Sequence, residues 1–178
     1  MALRRMNIEG IIVGEGPIAS LVILRTADSL GSTESLQLPI RIGSVEATSI
    51  TMGVGGRSTN RPLTHDLLRS VIEALGAKVD SVRITAVEGT TFFAQIDLIT
   101  SDGQHVLVDS RPSDAIALAV RTDVTILAED SVLSTATLPD FRGVEETERR
   151  HELEEFHNFV ENLSPEDFNV PHAEQDGE

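Results

Sequence analysis

Asp109, Arg111 and Asp114 fall within the six-residue run Asp109-Ser110-Arg111-Pro112-Ser113-Asp114. Carboxylates can bind a divalent cation or move a proton, and a guanidinium can neutralise phosphoryl oxygens, so the set suits attack of water on a phosphodiester. Carboxylate oxygens favour Mg²⁺ or Mn²⁺, for which Asp109 and Asp114 are the first candidate ligands. A structural alternative exists: Asp114 as a first-turn helix anion, with Arg111 paired to Asp109 to lock a strand–helix junction.

Glu46, His65 and Asp66 make a second set. His65 is the candidate general acid or base because its ordinary pKa of about 6.5 suits proton transfer near neutrality. Asp66 could take the metal, and Glu46 is a further catalytic candidate. Adjacent helical residues point about 100° apart, so His65 and Asp66 need not address one target. Capping or packing for His65, and first-turn charge compensation for Glu46, are the structural alternatives.

Substrate contacts are expected from the Gly53-Val54-Gly55-Gly56 run with Arg57 and Arg61, where glycines admit a phosphate backbone and the arginines donate to it. The run lacks the lysine and hydroxyl of a P-loop, so it does not support ATP or GTP binding. It can equally be a mobile connector with solvating arginines. Of the adjacent Phe92 and Phe93, strand alternation sends one inward, and Phe93 is the candidate for stacking on a base. His105, His151, His157 and His172 show no metal-ligand spacing.

The elements that must position these groups follow from periodicity. Strands are predicted over 7–13, 20–26 and 35–42 as an antiparallel meander, then over 82–87, 91–98 and 104–109, with a short return strand over 124–127. Ser44 is read as the cap of a helix over 45–52, and Thr64 as the cap of a second helix in which Leu67, Leu68, Val71, Ile72 and Leu75 recur at helical spacing before Gly76. Pro112 suits a first helical position. It opens a helix whose small Ala115, Ala117 and Ala119 let it lie close to a sheet. A last helical turn is predicted over 130–134. The fold class expected is α+β: a mixed, largely antiparallel sheet with short helices, plus an acidic C-terminal helix and tail.

The 178 residues carry 29 acids against 14 bases, a formal charge of −15, and no cysteine. Disulfides, thiolate zinc sites and cysteine nucleophiles are thereby excluded. From residue 139 on, 13 acids face three arginines, so that segment holds −10 of the total. Domains are expected at 1–138 and 139–178. Leu153, Phe156, Val160 and Leu163 predict a helix over 144–163, and the last dozen residues have a disordered composition. Solvation of a halophile and an acidic clamp mimicking nucleic acid are the two readings of this segment. A single lysine, Lys78, beside 13 arginines is the composition expected of a halophilic archaeon. Acidity disfavours polyanion binding, yet at molar salt the Debye length is about 3 Å and the repulsion is screened. No apolar run reaches the roughly 20 residues of a membrane span, and the N-terminal residues lack a secretory h-region, so a cytoplasmic location is expected.

The run from Val108 to Arg121 resembles the signature of the bifunctional nuclease family, also described as a domain of unknown function. The resemblance extends through Ile42-Gly43-Ser44-Val45-Glu46-Ala47, Arg61-Pro62-Leu63-Thr64-His65-Asp66-Leu67-Leu68, Phe92-Phe93-Ala94-Gln95-Ile96 and Val124-Thr125-Ile126-Leu127. It covers residues 6 to 136. It implies hydrolysis of RNA and DNA, with nucleic acid as partner and substrate. The alternative is a non-catalytic regulatory or scaffold module binding protein or RNA. Exposed sheet edges make a homo-oligomer the expected assembly.

Overall fold

The chain is described by a computed structural model for residues 2–14, 19–27, 35–56 and 60–137. Arg57 and the predicted acidic helix lie outside those residues. The described residues fall in one compact unit, Met1–Asp140. In chain order the elements are β1 Leu3–Ile12, β2 Ser20–Thr26, β3 Gln37–Ile42, α1 Ser44–Val54, α2 Thr64–Ala74, β4 Lys78–Glu88, β5 Thr91–Ile99, β6 His105–Ser110, α3 Pro112–Thr122, β7 Thr125–Glu129 and α4 Asp130–Ala136.

The described strands form one seven-stranded sheet in the order β3-β2-β1-β7-β4-β5-β6. All neighbours are antiparallel except β4 and β7, which run parallel. The connection from β4 to β7 contains a hairpin to the edge strand β6 and then α3, which carries the chain back over the sheet to the centre. The mixed α+β architecture is therefore the one the periodicity predicts.

α3 packs at the centre of the described core. Ser113, Ala115, Ile116, Ala117, Leu118 and Ala119 are all buried, because the small alanines let α1, α2 and the sheet approach it from different sides. Val22, Leu24, Leu38 and Ile40 from β2 and β3 join Val82, Ile84, Ala94 and Ala128 from the central strands in the same core. α3 ends at Asp123, which adopts the left-handed conformation (φ 55°), one that Asp tolerates better than most residues.

Two local expectations change. α1 continues through Gly53 to Val54 instead of stopping at Met52, so half of the expected glycine loop is helix. A Cβ on Gly53 would lie 2.5 Å from Val120 Cγ2; the glycine is there for the α1–α3 crossing. The apolar stripe of α2 also behaves unexpectedly. Ile72 alone on this helix is buried, while Leu67, Val71 and Leu75 are exposed. None of the described helices is long and apolar enough to cross a membrane.

Candidate functional site

Helices α1, α2 and α3 bring Glu46, His65 and Asp114 together by their first turns, where free N–H groups and the helix dipole favour anions. Gly43, one residue before the expected Ser44, is the N-cap of α1. With no side chain there, the Glu46 carboxylate folds back so closely that Oε2 lies 2.1 Å from where a Cβ would stand. α2 is likewise capped by Leu63 instead of Thr64.

Arg111 is the junction. Its Nε donates to Asp114 Oδ2 at 2.8 Å, Nη2 to Asp114 Oδ1 at 3.2 Å, and Nη1 to Glu46 Oε1 at 3.1 Å. The guanidinium is 65 % exposed, so it is held by two carboxylates while still facing solvent. The Asp114 hydrogen bond, followed by its charge and then Glu46, raises the Arg111 pKa. Burial pushes the Asp114 carboxyl up, but hydrogen bonds from Arg111 and His65 outweigh it and hold the group below the ordinary range.

Behind Asp114 runs a chain of three side chains. His65 Nε2 lies 3.2 Å from Asp114 Oδ1 and its Nδ1 lies 3.0 Å from Ser49 Oγ. The tautomer with hydrogen on Nε2 satisfies every member, Ser49 donating to Nδ1 and Nε2–H donating to Asp114. Both ring nitrogens are occupied and the ring is 14 % exposed. In this arrangement His65 acts on the site through Asp114. Ser49 was missed by sequence reasoning, although a helical projection places it three residues from Glu46 and hence on the same face.

Asp66 stands apart from this chain. Oδ2 accepts the Leu63 N–H at 2.9 Å and Oδ1 accepts from Arg121 Nε at 2.8 Å. The Leu63 hydrogen bond lowers its pKa most; burial opposes that, and Arg121 adds to the lowering. Asp109 is exposed on β6, opposite Gln95, with no side-chain partner among the described residues. It neither pairs with Arg111 nor joins Asp114. Three metal-donor residues with ligand atoms within 4.8 Å of one another occur at another place among the described residues, and include none of Glu46, Asp66, Asp109 and Asp114. The expected ligands Asp66, Asp109 and Asp114 thus do not converge, and this donor set does not fit a cation.

A cleft of about 450 Å³ opens beside Glu46 and Arg111, lined also by Arg41, Gly43, Thr90, Thr91, Phe92 and Ser113. Phe92 stands on its wall; Phe93, on the opposite face of β5, is exposed away from it. Arg61 is exposed before α2 and is not among the residues lining this cleft.

The fold and the cleft define an α+β domain in which an exposed arginine is held by two carboxylates from the first turns of two helices. The sequence model of the bifunctional nuclease domain matches residues 22–140. The chain is 38 % identical over 167 residues to the uncharacterized protein Rv1829 of Mycobacterium tuberculosis, covering 92 % of this chain and 96 % of that one. It is 28 % identical over 107 residues to bifunctional nuclease 1 of Arabidopsis thaliana, covering 59 % of this chain and 32 % of the plant protein. Bifunctional nuclease 2 of Oryza sativa subsp. japonica is 28 % identical over 129 residues, covering 71 % of this chain and 38 % of its own length. The chain belongs to the bifunctional nuclease domain family.

Proposed function

We propose that the protein is a nuclease hydrolysing phosphodiester bonds of RNA and DNA, with the scissile phosphate in the cleft beside Arg111. The observation that carries this reading is the exposed Arg111 guanidinium, fixed by Glu46 and Asp114 at the mouth of a cleft that also holds Arg41. Arg111 and Arg41 bind the phosphoryl oxygens. Water supplies the oxygen that forms the new bond to phosphorus; its proton passes to Glu46, and the departing sugar oxygen takes a proton from solvent. Asp114 orients Arg111, and His65 with Ser49 positions Asp114. Arg57, Arg61 and Phe93 remain candidate contacts for the flanking strand. Mg²⁺ or Mn²⁺ is the divalent ion to test with the protein, and the cytoplasm is its proposed location.

The test is cleavage of single-stranded RNA and DNA by the full chain, at low and molar salt, with each cation and with chelator. Cleavage lost in Arg111→Ala and Glu46→Gln supports the reading. Cleavage that survives both substitutions rejects the cleft, and a chain inactive in every condition rejects the enzyme.

A non-catalytic module binding protein or RNA is the second reading, favoured by Leu67 and Val71 of α2 and Leu75 at its C-cap, all exposed among the described residues. A homo-oligomer is part of either reading. β6 is an edge strand whose Val106, Leu107 and Val108 are 41–49 % exposed on both of its faces, and a second β6 running antiparallel would cover its unpaired backbone groups.

A further inference from the structure

On the sheet face turned away from the helices, Asp80, Asp97 and His105 each offer a ligand atom, and these atoms lie within 4.8 Å of one another. They come from three adjacent strands. Asp97 on β5 pairs with Ser81 on β4 and Leu107 on β6, and His105 is the diagonal neighbour two residues before Leu107. Asp80 occupies the bulge between Val79 and Ser81, and a bulge re-aims the side chain of its extra residue. The spacing in sequence hides this set, since His105 has no other histidine near it.

We propose that Asp80, Asp97 and His105 form a binding site for a borderline divalent transition-metal ion of the Zn²⁺ class. Mixed imidazole and carboxylate donors favour such an ion over Mg²⁺ or Ca²⁺, which take oxygen. Donors about 2.1 Å from one ion stand roughly 3.0–3.4 Å apart; His105 Nδ1 and Asp97 Oδ1 now share a hydrogen bond at 2.8 Å, and a bound ion would take the place of its proton.

Two further observations support it. Asp97 is 1 % exposed, and Arg83 Nη2 donates to its Oδ2, which orients the carboxylate and leaves Oδ1 toward His105, as outer partners orient metal-binding carboxylates. Among the described residues Arg83 Nε is buried without an acceptor; it belongs to the guanidinium that holds Asp97, so a polar group at that guanidinium is left for a further partner. His105 and Ser110 mark opposite ends of β6, five residues or about 17 Å apart, so this site is separate from the Arg111 cleft and does not depend on the nuclease reading.

Co²⁺ titration of the full chain, followed by visible absorption and calorimetry, tests the proposal against His105→Gln and Asp80→Asn, both at exposed positions. Because the C-terminal segment holds many acids and three histidines, the comparison is between variants. Expected are one fewer tight equivalent in His105→Gln, affinity reduced at least about tenfold in Asp80→Asn, and a Zn²⁺-dependent rise in melting temperature seen only in the parent chain. Unchanged Co²⁺ stoichiometry and affinity in both variants would overturn the site, and tighter binding of Mg²⁺ than Zn²⁺ would overturn the ion class.

Discussion

Asp66 and Arg121, 55 residues apart, meet where Arg121 Nε donates to Asp66 Oδ1 at 2.8 Å. The same guanidinium donates to the carbonyls of Ala117 at 2.7 Å and Ser49 at 3.0 Å. One cation, 5 % exposed, therefore ties the start of α2 and the middle of α1 to the last turns of α3. The same three helices carry Glu46 and Ser49, His65, and Asp114.

Asp66→Ala leaves the buried Arg121 guanidinium without its counter-charge; a fully buried pair broken in this way costs about 3–5 kcal/mol, and with Asp66 34 % exposed the loss expected is smaller, about 1–2 kcal/mol. Urea unfolding monitored by circular dichroism should show the loss. A midpoint equal to that of the parent chain would deny Asp66 its structural role.

Acid should weaken the same junction. Asp66 and Asp114 have folded pKa values below the ordinary carboxylate value, so their stabilisation is complete above about pH 4, where the unfolded groups are ionised. It declines as the pH falls further, through the folded values. Melting temperatures taken from pH 6 to pH 3 should drop at the low end, and Asp66→Asn should flatten that drop.

Gly53→Ala places a methyl where Val120 Cγ2 stands 2.5 Å away and Arg121 Nη1 2.9 Å away. Overpacking at such a crossing costs about 1–3 kcal/mol, against about 0.5–1 kcal/mol gained by alanine over glycine in a helix, so a net loss of stability is expected. The contrasting variant is Gly43→Ala, whose methyl meets the movable end of Glu46. It should keep the fold but displace Glu46 from Arg111, lowering cleavage more than stability when both are measured on one preparation.

On the proposed nuclease activity, Arg111→Ala should reduce cleavage about 10²–10³-fold, the effect of losing a donor to developing phosphoryl charge. Its exposure predicts little change in melting temperature. Arg111→Lys should recover only part of the rate, because an ammonium cannot reproduce the two-point hold on Asp114. His65→Gln, acting through Asp114, should lower the rate less than Arg111→Ala.

Leu107→Lys tests the assembly. Light scattering after size exclusion should show the parent chain as an oligomer and the variant shifted to monomer, since a charge on β6 opposes pairing of that edge. Identical masses would remove β6 from the interface.

Much of the architecture was legible from local pattern. Alternation in Leu36, Leu38, Ile40 and Ile42, Pro112 at the start of α3 and the small residues along it are statements about neighbours in sequence, and each became the element it predicted. The run of motifs also identified the family before any geometry was known. Partner choice was not legible in this way. Arg111 took Glu46 and Asp114 instead of Asp109, because β6 ends with Asp109 facing away while the first turns of α1 and α3 face each other. The apolar stripe of α2 was correctly helical yet not core, since helical periodicity marks a face without saying what covers it. Helix and strand are fixed by interactions within a few residues, whereas the meeting of Ser49, His65 and Asp114, and of Asp80, Asp97 and His105, depends on sheet register and helix crossing, which only the folded chain decides.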